Sequence, residues 1–314
     1  MAKTIQDRVV LVTGGSGFVG GAIARYLAGR GFTVRLAVRN VAHFDGAAAF
    51  SGVFPIGDLA GPVDWGRALD GVDAVVHAAG CASPPQGMSE STLFKINAAA
   101  TGDLARAAHG AGVRAFILIS SVRAVCGATS AECVDGSVPP APTDAYGRSK
   151  LAAEQAAQAV GVPVVALRPV IVHGAGAGAN MAALAKLAAS RLPLPFAGLA
   201  GRRSIVSDVN MADAVSFVLQ SSAAMPEAMM VADEDPLTVG GICAAMRASL
   251  GRRTGLVRIP EPLLRAAARI AGQTERWERL AGSLVVSCAE LEALGWKRPE
   301  PSAAGLARMM MQFQ

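Results

Sequence analysis

A chain of 314 residues with 52% hydrophobic and 17% charged side chains is too apolar for a disordered protein and long enough to bury a substantial core. Its formal charge of +5 is spread along the sequence, and no basic and aromatic constellation of a binding module occurs, so no nucleic-acid partner is expected. Five cysteines without close pairing predict reduced thiols in a cytoplasmic protein, and apolar runs broken by Arg, Asp or Pro predict no membrane span, no membrane partner and no export.

The first apolar run, Val9-Val10-Leu11-Val12, leads into Thr13-Gly14-Gly15-Ser16-Gly17-Phe18-Val19-Gly20 and then an amphipathic stretch over 22–28. This spells strand, glycine turn, helix. Gly31 is placed to close that helix in the left-handed region, and a second strand follows from Thr33 to Val38. Further apolar runs at 53–56, 74–77, 115–119 and 164–167 alternate with alanine-rich helical stretches, which predicts a parallel sheet wrapped by helices. The expected fold class is therefore α/β, a doubly wound parallel sheet of Rossmann type over residues 1–175. Proline-broken segments such as Leu192-Pro193-Leu194-Pro195 suggest a smaller, mostly helical C-terminal substrate cap over 176–314, with some segments returning to the main domain.

Glycines 14, 17 and 20 have the spacing of a turn that lets the backbone approach a diphosphate, while Phe18 and Val19 open a helix whose N–H groups favour an anion. A purely structural glycine turn is the competing reading. At the end of the second strand stands Arg39 rather than a carboxylate, so its fork is free to pair with a 2′-phosphate. This favours NADP(H) over NAD(H), against the plainer reading of a solvated arginine. Asp58, followed by Leu59, is placed to meet an adenine amino group, with helix capping as the alternative. The small residues Ala78, Ala79 and Gly80 after the fourth strand would let a cofactor lie close, and His77 before them reads as structural and half-buried.

Tyr146 and Lys150 lie four residues apart and so share a helix face. A nearby ammonium and a cationic nicotinamide would both favour phenolate, lowering the tyrosine pKa toward neutrality. Ser120 and Ser121 follow the strand at 115–119, where a hydroxyl can bond the same substrate oxygen. With the turn at 13–20, the run His77 to Gly80, Asn97 and Arg168-Pro169, these motifs resemble the extended short-chain dehydrogenase/reductase family over nearly the whole chain.

Within that family, Ala145-Tyr146-Gly147-Arg148-Ser149-Lys150-Leu151 and Arg202-Arg203-Ser204-Ile205-Val206 look most like the nucleotide-sugar C4 epimerase and 4-ketoreductase branch. The resemblance implies Ser121 and Tyr146 at the reacting C4 oxygen, Lys150 on the nicotinamide ribose, Asn97 and Arg168 toward the cofactor, and Arg203 on the substrate diphosphate. It also implies Asn180 opening a helix beside that diphosphate, where simple N-capping competes, and a homodimer. Arg203 has an exposed cap arginine as its plain alternative.

Departures from the pattern narrow the chemistry. Where sugar dehydratases of the family carry Asp-Glu after the catalytic Thr, this chain has Val122 and Arg123, so elimination of water is not expected; Arg123 reads as a substrate contact or a structural ion pair. Ala124-Val125-Cys126-Gly127 replaces the family's Tyr-Gly with one residue more, which leaves Ser120 and Ser121 competing as the site hydroxyl. Cys126 reads as packing, Trp296 as a core anchor, and His43, His109 and His173 as too scattered to hold a metal. The two rival readings are an NADPH-dependent reductase of hydrophobic ketones, of dihydroflavonol or hydroxysteroid type, and a dinucleotide-sensing or scaffold protein without turnover.

Overall fold

The computed structural model describes residues 8–41 and 46–313; His43 lies outside them. Seven strands form one parallel sheet: β1 (Val9–Thr13), β2 (Thr33–Val38), β3 (Gly52–Pro55), β4 (Ala74–His77), β5 (Ala115–Ile119), β6 (Val164–Pro169) and a last strand, Ala228–Val231. They lie in the order 3-2-1-4-5-6 with Ala228–Val231 at the far edge beside β6. The chain thus reverses its direction of winding between β1 and β4, where Thr13 and His77 stand side by side at the carboxyl ends. Such a switch point opens a crevice at the sheet edge. β5 explains why its sequence is continuously apolar: Phe116, Ile117, Leu118 and Ile119 are buried from both faces, each contributing about 1.5–3 kcal/mol.

Helix α1 (Phe18–Gly29) follows the glycine turn and ends where Gly31 takes φ +90°, the left-handed conformation expected of it. Next come α2 (Gly66–Leu69), α3 (Glu90–Phe94), a π-helical turn over Lys95–Ala99, α4 (Ala100–Gly110) and α5 (Ala145–Gln158). Beyond residue 170 the chain adds β7 (Ile171–His173), α6 (Ala179–Ala189), β8 (Arg202–Arg203), β9 (Ile205–Ser207) and α7 (Asp208–Gln220). The seventh sheet strand is then β10, followed by β11 (Leu237–Thr238), α8 (Val239–Ser249), α9 (Glu261–Ile270), α10 (Thr274–Ala281), α11 (Ala289–Ala293) and α12 (Ser302–Met310). α7 packs on α1, where Tyr26 Oη donates to Asp213 at 2.6 Å. Trp296 is buried and its indole N–H donates to the same Asp213 at 3.0 Å, an anchor within the core. Among the described residues, no helix is long and apolar enough to cross a membrane.

The long connection from β5 to α5 is tied to the C-terminal region by Ser130 N–H to Ser283 O (2.8 Å) and Val134 N–H to Val285 O (2.9 Å). This connection carries Ser121 and ends at Asp144, so the cap and the sheet edge share one stretch of backbone.

Candidate functional site

The glycine turn is tight enough to demand glycine. Gly14 has φ +73° and lies against the Ala78–Ala79 backbone, where a Cβ would come within 2.7 Å of Ala79 N; at Gly20 a Cβ would come within 2.3 Å of Gly14 O. The N-cap of α1 is Gly17, which offers no side-chain bond, and no acidic residue occupies the first turn. The N–H groups at Phe18 and Val19 are therefore presented to an anion rather than to the chain's own carboxylates. A dinucleotide diphosphate suits this cradle. Arg39 is exposed just past β2, and its charge reaches the Cys81 thiol beyond β4. Asp58 is exposed and its carboxylate accepts from Ala60 N–H at 2.9 Å in a turn, not as a helix cap, while Leu59 is half-buried against the sheet.

A buried polar chain ties this turn to the helix bearing Tyr146. Thr13 Oγ1 lies 2.7 Å from His77 Nδ1, and His77 Nε2 lies 2.9 Å from Thr101 Oγ1. Thr101 donates its own proton to Asn97 O at 2.6 Å, so it must accept from His77 Nε2–H; Nδ1 then accepts from Thr13, which accepts from Ala79 N–H at 3.1 Å. His77 is completely buried, not half-buried, and burial, with the Lys150 charge behind it, lowers its pKa to about 3. It is a neutral structural group.

Asn97, expected at the cofactor, also bonds into this scaffold. Its Oδ1 accepts from Cys81 N–H (2.7 Å), and its Nδ2 donates to Cys81 O (3.1 Å) and Ser149 Oγ (2.9 Å). Both amide protons and one lone pair of Oδ1 are engaged, and the pair of bonds to Cys81 shapes the backbone after Gly80. Arg168 is buried, and its Nε and Nη2 donate to Glu154 on α5 at 3.0 and 2.6 Å. Ser120 also donates to Glu154. The two serines therefore part company, Ser120 facing Glu154 and Ser121 facing the Tyr146 hydroxyl.

Tyr146 and Lys150 stand on α5, whose N-cap Asp144 accepts from Gly147 N–H at 2.7 Å. Gly147 is required there because a Cβ would press within 2.2 Å of Arg123 O. The half-buried Tyr146 has its pKa raised, first by burial, with the Ser121 hydrogen bond and the Arg123 charge pulling the other way. In the chain alone, desolvation outweighs the Ser121 hydrogen bond and the Arg123 charge. Lys150 is buried, donates to Ile119 O at 2.7 Å, and is pushed down to about 8 by burial against the opposing pull of Glu154.

That depression has a consequence for stability. The unfolded lysine keeps its proton to about pH 10.4. Between about 8 and 10.4 the folded chain binds fewer protons than the unfolded one, so stability rises with pH across that window and the penalty is fully present below it. Lys150→Met is expected to be more stable than wild type at pH 7 by up to about 3 kcal/mol, with the advantage vanishing above pH 10. Urea titrations at pH 7 and 10 measure this; equal stability at both would refute it.

Arg123 forms an ion pair with Asp144, its backbone N–H donates to Ser121 Oγ at 3.1 Å, and its Nε is buried without a partner. The loop holding Ser121 is thereby clasped to the cap of the helix holding Tyr146. Arg203 reaches Ala128 O at 3.3 Å and also donates to Arg279 O, and burial followed by the Arg123 charge lowers its pKa. Two guanidinium groups that repel each other here suit an anionic ligand. Asn180 is exposed in the first turn of α6, but the cap is Gly178, which removes capping as its explanation. Cys126 is half-buried and its thiol is pushed up by burial, as packing requires.

Residues missed by sequence reasoning are Glu154, Thr101 and Ser149. The position of Glu154, four residues beyond Lys150 on the same buried helix face, is the signal that would have found it.

Residues 10–232 match the NAD dependent epimerase/dehydratase family. A UDP-glucose 4-epimerase of Vibrio cholerae is 30% identical over 98% of this chain and 96% of its own length. A 3 beta-hydroxysteroid dehydrogenase/Delta 5-->4-isomerase of Mycobacterium tuberculosis is 28% identical over 82% of this chain and 73% of its own. The structure of MoeE5 in complex with UDP-glucose and NAD superposes with a TM-score of 0.74 at 21% identity, covering 98% of each chain.

Proposed function

Because this chain belongs to the NAD dependent epimerase/dehydratase family, we propose that it oxidises or reduces C4 of a nucleotide-linked sugar, as a 4-epimerase or a 4-ketoreductase. The observation that carries the reading is the Tyr146 hydroxyl against that of Ser121 at the carboxyl edge of the sheet, with Lys150 buried beside them and two arginines beyond. A bound NADP(H) or NAD(H) supplies or accepts the hydride. In this reading Tyr146 and Ser121 hold the C4 oxygen and the phenol moves its proton, while Lys150 fixes the nicotinamide ribose. Gly14, Gly17, Phe18, Val19 and Gly20 cradle the cofactor diphosphate. Ala78, Ala79 and Gly80 border it, and Asp58 with Leu59 meets the adenine. Arg203, Arg123 and Asn180 face the sugar nucleotide. A cytoplasmic homodimer accompanies this assignment.

Arg39 favours NADP(H). Arg39→Ala is expected to weaken NADPH binding about 10–100-fold, the range of a lost charge-assisted bond, with NADH nearly unaffected. Equal affinities in both proteins, read by NAD(P)H fluorescence, would remove Arg39 from the cofactor site.

The deciding experiment incubates the purified protein with UDP- and dTDP-sugars and their 4-keto forms, with and without NADPH or NADH, and reads products by mass and NMR. Isomerisation without net cofactor use identifies an epimerase; stoichiometric cofactor oxidation with keto sugars alone identifies a reductase. The hydroxysteroid dehydrogenase relative supports a second reading, reduction of a hydrophobic ketone, which would use the same Tyr146. Turnover of such ketones and of no sugar nucleotide would favour it. Absence of all turnover, with dinucleotide still bound, would leave the sensing protein.

A further inference from the structure

Against the expectation of no membrane partner, we propose that α9 and the loop leading into it form a docking surface for an anionic phospholipid membrane, on which the protein lies without crossing. The surface is separate from the chemistry above and does not depend on it.

α9 is amphipathic in an unusual way. Its inner side, Leu264 and Ala268, packs on a small cluster with Leu194, Phe196 and Trp277, yet no residue of the helix is fully buried. A second apolar stripe, Leu263, Ala267 and Ile270, follows the i, i+4, i+7 row on a different side and faces water. Leu263 is 62% exposed and Ile270 89%. Nearby, Leu194 N–H donates to Gly255 O and Val257 N–H to Leu194 O, both at 2.9 Å, so the segments carrying the exposed Leu192 and Val257 run side by side just before the helix. Eight large apolar side chains are exposed among the described residues, and four of them are Leu192, Val257, Leu263 and Ile270. Scattered single leucines need no explanation, but half of the total in one region does.

Charge is concentrated in the same place. Between residues 252 and 279 the chain has seven arginines, all exposed, and three glutamates, so this segment supplies +4 of a total charge of +5. Arg269 and Arg265, the latter in an exposed pair with Glu261 at 2.5 Å, form the helix row between the inner packing side and the outer stripe. A guanidinium fork binds phosphate oxygens in pairs, and the stem of an arginine at an interface buries its methylenes while its head stays wet. Large apolar side chains bordered by arginines are what an interfacial helix presents to acyl chains and anionic headgroups. A protein partner is less well served, because four large side chains set among arginines fall far short of the ~800 Å² per side of a stable interface. Nucleic acid would use the arginines but leave Leu263 and Ile270 in water.

The test is sedimentation of the full-length protein with vesicles of phosphatidylcholine alone or mixed with phosphatidylglycerol. Wild type is expected to bind only the mixed vesicles and to be released by about 0.5 M salt, where the screening length is only a few ångströms. Leu263→Ser with Ile270→Ser should weaken binding about tenfold or more, and Arg265→Gln with Arg269→Gln about fivefold for each arginine. Thermal melting and NAD(P)H binding of these variants, both expected to be unchanged, separate loss of docking from loss of fold. Three results would overturn the proposal: no wild-type binding to either vesicle; binding insensitive to Leu263 and Ile270, which would mean a diffuse charge effect shared with duplex DNA; or a change of oligomeric state in the serine variant, which would make the stripe a protein contact.

Discussion

Tyr146→Phe is expected to lower turnover by about 10²–10⁴-fold, the range lost with a positioned acid or base, while NAD(P)H affinity and thermal stability stay close to wild type. The phenyl ring keeps the shape of the site and removes only the hydroxyl that faces Ser121. The proton matters as much as the position. In the chain alone, burial raises the phenol pKa, so Tyr146 enters the reaction protonated at neutral pH and is poised to donate to a ketone oxygen. A cationic nicotinamide would reverse that balance and favour the oxidative direction. The chain has only two tyrosines, so Tyr26→Phe leaves Tyr146 as the sole phenol and its ultraviolet titration can be followed directly. A midpoint below the ordinary value without cofactor would contradict the burial argument, and near-normal turnover by Tyr146→Phe would remove it from the chemistry.

Glu154→Ala should cost about 3–5 kcal/mol of stability, because it strands the Arg168 guanidinium in the interior and deprives Ser120 of its acceptor. In a chain of this size that corresponds to a fall in Tm of about 5–8 °C. The pair is not thereby a large net stabiliser, since two charges were desolvated to form it. Glu154→Leu combined with Arg168→Met should recover most of the loss. A melting point unchanged in Glu154→Ala would mean that water reaches Arg168, contrary to the burial seen. Since Glu154 lies one turn beyond Lys150, the single variant should also impair catalysis, and the double variant separates that effect from instability.

The sheet was legible because each strand is an apolar run punctuated by glycine or a helical stretch, and because β1, β4 and β5 are buried on both faces. β10 escaped notice: Ala228-Met229-Met230-Val231 is short, has only one β-branched residue, and finds its partner β6 some sixty positions earlier in the chain. The glycine turn, Tyr146 and Lys150 could be placed because their chemistry depends on close spacing along the sequence. Glu154 with Arg168, Thr13 with His77 and Asn97 with Ser149 could not, since each pair is assembled by packing across the sheet edge or between helices. The upward push on the Tyr146 pKa in the chain without cofactor was hidden for a related reason. Charges are visible in a sequence, whereas the loss of water around a phenol is a property of the folded site.

The hydrogen-bond chain from Ala79 through Thr13, His77 and Thr101 to Asn97 has only one proton assignment, with every donor pointing the same way along it. It acts as a one-way ratchet of dipoles, each bond polarising the next, and no member can be reversed without displacing all the others. Histidine is usually the first suspect when an enzyme's rate bends near neutral pH. Here the imidazole at the crossing of the sheet keeps its Nε2 proton and remains silent there, so any such bend must come from elsewhere in the site.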